Sequence, residues 1–580
     1  MKCWIFKEKT RYCNHAIILI VLPMLNLLFM HYFFYYSNCI EWLWQYSEII
    51  NVFSVVFDIF VLLFLSLLLT KGRLKPALAL TQAITLIWSF VNVMYGKFFF
   101  QYMSLSAIGE AHGLGEGLVI NSILSAFHWY DLYFPFSCLI FILFYRRSKK
   151  TQYSLRHIFR LLFVPVASLL LTFLTYSAYH FTHPHYRHNW ELLGFRTKEF
   201  LFDSVRGGTP NLVHFQTGCI RVAAFELYDL FSVKELTVGQ RDEIKSYYSN
   251  HSKRSSNHQR NPNIKNVMFI LLESFLSASI DLEVDGKEIT PFLNSLKKDS
   301  TIYYNGNMIS DIGCGESGDG QFIYMTGLLP LKNKMTVGQV KNNTLPAFPI
   351  ILKENLGINY SEIISPTVPN LWQQADMNVA YGFNHAYWLD DIVYGQSKSI
   401  DDEQIFKFAS QHIVKLDKPF FSLLLSLSTH APYNKHAGPD YLKGNQSLVE
   451  EYKNYLNSCH YLDEQLASFI KTLKDNGLYD NTLIVIASDH YAHLNMLKMD
   501  GKLSDHTPLF IINGNISQNN SWKGEFHQLD TYTTLIDLLA INEPWRGLGH
   551  TLLTTKYVNS VNDKASDISY WIIEGDYFAQ

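Results

Sequence analysis

Three apolar runs in the second half of the chain end in residues that bind metals. Residues 267–272 run Val-Met-Phe-Ile-Leu-Leu and stop at Glu273. Residues 420–427 lead into Ser428-Thr429-His430, and residues 483–487 into Ser488-Asp489-His490. Carboxylate oxygens and imidazole nitrogens suit a divalent cation. A hydroxyl is available too. Ser317 lies in Gly313-Cys314-Gly315-Glu316-Ser317-Gly318-Asp319-Gly320, just before the apolar Phe322-Ile323-Tyr324-Met325. Four glycines in eight residues allow a tight turn, and the pattern reads as a loop entering a helix. Backbone N–H groups at a helix start can hold a phosphate. A serine bound to a divalent ion becomes a nucleophile at neutral pH.

Such residues need a scaffold that gathers them. Short, fully apolar runs alternating with helical stretches such as 449–475 and 529–540 predict a parallel sheet covered on both faces. A further run, 509–512, ends at Asn513-Gly514. In open α/β sheets ligands bind at the carboxyl ends of the strands, which is where Glu273, His430, Asp489 and His490 would fall. His493 and His506 are weaker candidates for substrate contact. Asp319 reads as a turn or cap residue, and Cys314 as structural.

Composition narrows the class. The chain has 580 residues and a net charge of −3, which gives no bulk electrostatic case for binding nucleic acid. Its seven cysteines (3, 13, 39, 138, 219, 314 and 459) show no metal-type spacing. The first third is strongly apolar. Spans are expected at 16–36, 52–70, 77–94, about 132–145 and 161–179, each read from the length of apolar sequence. Basic residues lie before the first span, between the second and third, and between the fourth and fifth. By the positive-inside rule, the N-terminus is cytoplasmic and everything after about residue 180 is extracytoplasmic. The expected division is a five-span domain (1–180), a helical connector and linker (181–263) and a catalytic domain (264–575). The connector reads as an arm along the membrane surface.

Several stretches together carry a resemblance. They are Asn266-Val267-Met268-Phe269-Ile270-Leu271-Leu272-Glu273-Ser274-Phe275, Thr290-Pro291-Phe292-Leu293-Asn294-Ser295-Leu296, residues 315–322, Leu425-Ser426-Leu427-Ser428-Thr429-His430-Ala431-Pro432-Tyr433, Asp489-His490-Tyr491, and His527-Gln528-Leu529-Asp530 leading into Thr534-Leu535-Ile536-Asp537. In this order, with a multi-span anchor ahead of them, they resemble the lipoteichoic acid synthase family of the sulfatase and alkaline phosphatase superfamily. The resemblance implies an α/β, alkaline phosphatase/sulfatase-like sandwich domain preceded by a five-helix transmembrane domain. It implies one divalent ion, Mn²⁺ or Zn²⁺, held by Glu273, Ser317, Asp489 and His490. Ser317 takes the place of a nucleophilic threonine, and His430 that of a substrate-contacting histidine.

Implied partners are a phospholipid donor, a glycan or lipid acceptor and the cell membrane, with no nucleic acid. The activity implied is transfer of a phospho-head-group, with phosphoglycerol placed first. A phosphoethanolamine transferase and a phosphodiesterase or sulfatase remain alternatives. A sulfatase would need Cys-x-Pro-x-Arg or Ser-x-Pro-x-Arg, and neither occurs. A non-catalytic relative would have lost ligands, and all four are present. Besides serine for threonine at 317, the chain departs from the family at three places. Glu316 replaces a lysine before the nucleophile. Ser365 and Gln374 stand where the synthases carry the histidine and arginine that hold phosphoglycerol.

Overall fold

Long apolar sequence builds three helices at the start of the chain: α1 (Thr10–Tyr36), α2 (Ser47–Leu69) and α3 (Leu74–Phe99). Two more follow, α4 (Tyr133–Arg147) and α5 (Phe163–Thr182). The computed structural model describes residues 10–37, 47–99, 101–105, 127–182, 210–231, 235–251 and 258–579, apart from 314, 333, 394–399, 432, 434–435, 437 and 495–503. Cys314 and part of the expected linker at 250–263 therefore lie outside the described residues. Among those described, four segments are long and apolar enough to cross a membrane: Ile17–Tyr36, Ser47–Leu69, Leu74–Lys97 and Leu155–Thr175. The helix at the expected fourth span, α4, has 15 residues, fewer than the ~20 a bilayer asks for.

The chain divides into two units, one of residues 1–109 and 114–232, the other of 110–113 and 233–580. In the first, Leu27, Met30 and Phe34 of α1 pack with Val55 and Ile59 of α2 and Val93 and Met94 of α3. Two shorter helices, α6 (Pro210–Thr217) and α7 (Cys219–Phe231), belong to this unit. Leu212, Phe215 and Cys219 join the same cluster between the long helices. This part of the connector is thus packed into the helical bundle, where the sequence suggested a surface arm.

Among the described residues the second unit has ten strands: β1 (Asn266–Leu272), β2 (Glu283–Val284), β3 (Lys287–Glu288), β4 (Tyr303–Ile309), β5 (Tyr360–Ile364), β6 (His385–Tyr387), β7 (Phe420–Leu425), β8 (Thr482–Ser488), β9 (Thr507–Ile512) and β10 (Phe526–His527). The small β2–β3 pair stands apart from an eight-stranded sheet ordered β10-β4-β9-β8-β1-β7-β5-β6. Strands β1, β7 and β8 are buried at every position, which is why their sequences show no apolar–polar alternation. Helices α9 (Asp402–Ile413) and α10 (Glu450–Asp475) cover one face, packing against Met268 and Ile270. On the other, Tyr324 of α8 (Ser317–Thr326) sits 4.9 Å from the ring of Phe269.

The sheet is mixed, which corrects the expectation of a purely parallel one. β9 pairs antiparallel with both β8 and β4, while all other pairings in this sheet are parallel. A parallel neighbour needs a crossover of a dozen or more residues, usually helical. β9 instead runs antiparallel beside β8, with Ile484 opposite Ile512 and Ala487 opposite Leu509. The end of β9 at Asn513-Gly514 therefore faces away from the edge where β1, β7 and β8 deliver their polar residues.

Candidate active site

The carboxyl ends of β1 and β8 put Glu273, Asp489 and His490 side by side, all three buried. The backbone fixes each of them. Ser274, at φ 48°, turns its amide onto Asp489 Oδ1 at 2.8 Å, and its hydroxyl donates to Glu273 Oε1 at 2.8 Å. Ser426, at the end of β7, accepts the Glu273 amide at 2.9 Å. The Asp489 carboxylate also accepts the amide of His490 at 2.7 Å. Gln528, after β10, donates to the Asp489 carbonyl at 2.8 Å.

Ser317 opens α8, as the glycine-rich pattern predicts. Its hydroxyl donates to Glu273 Oε2 at 3.3 Å and lies 3.2 Å from His490 Nε2. His490 Nε2 is also 3.7 Å from Glu273 Oε1 and 3.7 Å from Asp489 Oδ2. The helix reaches this position because Gly320 has no side chain. A Cβ there would meet the Asp489 carbonyl oxygen at 2.4 Å. Tyr324, two turns along, donates to the Ser488 carbonyl at 2.7 Å and ties α8 to the end of β8.

The glycine loop does not act as the sequence suggested. Gly313 and Gly315 donate their amides to Asp319 Oδ2, at 2.9 and 2.8 Å. The amides of Gly318 and Gly320 bond Gly315 O and Glu316 O. These four N–H groups hold the loop in shape, and Asp319 is the cap that organises it. Burial pushes the Asp319 pKa up to about 7.

The electrostatics favour a cation. Burial opposes ionisation of Glu273, but His430 and His490 beside it hold its pKa below the usual value. Burial and the Glu273 charge push Asp489 up to about 7. Burial works against a charge on His490, yet Asp489, Glu316 and Glu273 raise it to about 9. Two carboxylates facing each other across one imidazole make a site short of positive charge, and a divalent ion meets that need better than a shared proton. The donor set of oxygen and nitrogen atoms fits either manganese or zinc. His490 Nδ1 lies 2.8 Å from the Tyr491 carbonyl. A proton on Nδ1 donated there leaves Nε2 as the ligand atom, the usual outer-shell arrangement for a metal-bound histidine.

A second trio, Glu316, His490 and His493, also lies within ligand distance of one another. His493 Nε2 bonds Glu316 Oε2 at 2.8 Å. Glu316 Oε2 is 3.9 Å from His490 Nδ1, the nitrogen turned to Tyr491 O. We read this pair as support behind the ligand histidine. Sequence gave His493 little weight, and Glu316 only as a departure. A signal was present: an acidic residue beside the nucleophile calls for a basic partner nearby.

The remaining candidates separate. His430 follows β7, close enough for its charge to act on Glu273. His506 bonds Ser504 and lies 3.3 Å from Glu525, joining neither metal-type group. Ser365 is buried against Thr367, and Gln374 is buried against Gln321 and Asn378. After residue 260 the chain has one arginine, Arg546, and it is buried against Asp537.

A serine beside two carboxylates and an imidazole at the carboxyl edge of a mixed sheet is the arrangement the resemblance leads one to expect, and wider comparisons point the same way. Residues 265–541 match the sulfatase family, and residues 1–188 match the lipoteichoic acid synthase N-terminal domain. Lipoteichoic acid synthase 2 of Bacillus subtilis (strain 168) is 25% identical over 547 residues, covering 88% of this chain and 80% of that one. Lipoteichoic acid synthase of Staphylococcus aureus (strain USA300) is 26% identical over 422 residues, 69% of this chain and 61% of that one. The structure of the integral membrane lipooligosaccharide phosphoethanolamine transferase A from Neisseria meningitidis aligns with TM-score 0.52 at 12% identity, covering 91% of this chain and 95% of that one. The chain is lipoteichoic acid synthase-like, with a sulfatase-type domain, and these matches support a phosphotransferase.

Proposed function

We propose that this protein moves a phospho-head-group from a membrane phospholipid to an extracytoplasmic glycan or lipid acceptor through a covalent phospho-Ser317. The observation carrying this reading is the Ser317 hydroxyl held between Glu273 Oε2 and His490 Nε2. A divalent ion, Mn²⁺ or Zn²⁺, bound by Glu273, Asp489, His490 and Ser317 would lower the hydroxyl pKa and offset charge on the phosphoryl oxygens. Ser317 Oγ passes its proton to water and, as the alkoxide, attacks phosphorus. The bond from phosphorus to the diacylglycerol oxygen breaks, and His430 protonates that oxygen. In the second step an acceptor hydroxyl attacks phosphorus, its proton returns to His430, and Ser317 is released as the alkoxide that begins the next cycle.

The proposed topology has five spans with the N-terminus inside. It comprises a membrane domain (1–180), a connector (181–263) and an extracytoplasmic catalytic domain (264–575). Phosphoglycerol is the first reading of the head group, from the lipoteichoic acid synthase relatives. Phosphoethanolamine is the second, favoured by one observation. The neutral, buried Ser365 and Gln374 leave the phosphoglycerol clamp without its charged members.

Mass spectrometry of the intact protein after incubation with phosphatidylglycerol or phosphatidylethanolamine tests both. The expected result is one head-group adduct, on Ser317, absent in Ser317→Ala. Diacylglycerol release at the normal rate by Ser317→Ala would refute the covalent route.

A further inference from the structure

Helix α2 carries a polar stripe that the active site does not use. Ser47, Asn51, Ser54 and Asp58 share one face of this candidate span and are fully buried. Asp58 is the central residue of its 23. At about 1.5 Å per residue, it lies about 16 Å from the Ser47 end, about half of a ~30 Å hydrocarbon layer.

Every residue of the stripe bonds the junction between α6 and α7. Gln216 Nε2 donates to Ser47 Oγ at 2.9 Å, and Asn51 donates to the Phe215 carbonyl at 2.6 Å. The Ser54 hydroxyl donates to the Gln216 carbonyl, and Arg221 donates to Ser54 Oγ at 2.8 Å. Asp58 accepts the amides of Cys219 and Ile220, at 2.7 and 3.3 Å. Carbonyls from the end of one helix and amides from the start of the next are the groups a helix break leaves unpaired. Here α2 supplies their partners. Gly218, at φ +85°, makes the break, and a Cβ on it would come 2.7 Å from Asp58 Oδ2.

The opposite side of α7 is apolar. Ala224, Leu227 and Tyr228, at i, i+3 and i+4, are exposed, the last two at 48% and 47%. A helix lying in water would carry its polar residues there. This one leaves Ala224, Leu227 and Tyr228 outward, while Arg221 reaches in to Ser54. Interrupted backbone is tolerated at membrane depth only when protein satisfies it, which is what the stripe on α2 does.

We propose that α6 and α7 form a re-entrant segment whose break at Gly218 lies near the bilayer midplane and whose outward face meets lipid acyl chains. The segment from 210 to 231 thus dips into the membrane and returns without crossing it.

The test uses the full chain in phosphatidylcholine vesicles carrying a photoactivatable diazirine at either the acyl terminus or the head group. Acyl-terminal labelling of the peptide spanning 219–231 is expected; labelling by the head-group probe alone would overturn the proposal. Cys219 offers a second readout. In intact vesicles, a membrane-impermeant maleimide applied to both faces should leave it unmodified, and detergent denaturation should expose it. Asp58→Leu, which strips the acceptor from two amides, should raise Cys219 labelling at least several-fold, with Asp58→Asn between. Labelling of Cys219 in the unaltered protein as fast as in detergent would refute the embedded position, whether or not the variants fold.

Discussion

Both units bury carboxylates, and they satisfy them in opposite ways. In the membrane unit, Asp58 faces backbone amides, so its hydrogen-bonding capacity is met by the chain itself. In the catalytic unit, Glu273 and Asp489 face each other across His490, and the Glu273 charge raises the cost of charge on Asp489. The first arrangement is complete without a ligand. The second is complete only with added positive charge. What distinguishes a functional cluster from an architectural one is therefore the unmet electrostatic demand. Burial and polarity alone do not separate them.

The largest test removes that demand. The double variant Asp489→Asn, His490→Ala deletes two of the four proposed ligands. It should lose stoichiometric metal by elemental analysis and lower head-group transfer by more than about a thousand-fold. Full metal occupancy in that variant would sink the ligand assignment. On the architectural side, Gly218→Ala places a side chain in a left-handed conformation costing about 1–2 kcal/mol and against Asp58. The membrane unit should melt earlier, followed by thermal denaturation in detergent, while metal content stays unchanged. A fall in metal content would show that the two clusters are not independent.

The smallest test concerns Asp319, which sits between the two cases: its Oδ2 is satisfied by amides, yet burial still raises the cost of its charge. Its pKa, raised by burial to about 7, exceeds the ordinary ~3.9 of an unfolded chain. The folded state thus binds the proton more tightly. Its contribution is fully present below pH ~4 and is lost as pH rises through 7. Asp319→Asn keeps an acceptor for the loop amides and does not titrate. The melting temperature of the Asn variant should gain on the parent between pH 5 and pH 8. Parallel curves would mean that Asp319 is ionised throughout.

These contrasts explain what the sequence could tell. Glu273, Asp489 and His490 were legible because a polar residue after a fully apolar strand marks the sheet edge. Ser317 was legible because glycines announced the turn. The direction of β9 was not, since an apolar run has no arrow; only its pairing with β8 sets it. The loop amides looked free for a phosphate because nothing in the spacing revealed that Asp319, four residues beyond Gly315, takes two of them. The stripe on α2 was hidden by a boundary. Reading the span from residue 52 leaves Ser47 and Asn51 outside it, so half of the stripe falls beyond the boundary.

The central place of β1 in the sheet has a consequence in time. β1 is the first strand of this unit to be made, yet both its partners come late. Asn266 bonds Phe420 across 154 residues, and Ser488 bonds Leu272 across 216. At about 5–20 residues per second of synthesis, β1 waits for many seconds as an unpaired apolar strand. During that interval Val267-Met268-Phe269-Ile270-Leu271-Leu272 is the stretch most open to wrong pairing. The catalytic unit should then assemble only after β8 emerges, so a truncation before residue 482 would leave an aggregation-prone chain instead of a smaller enzyme.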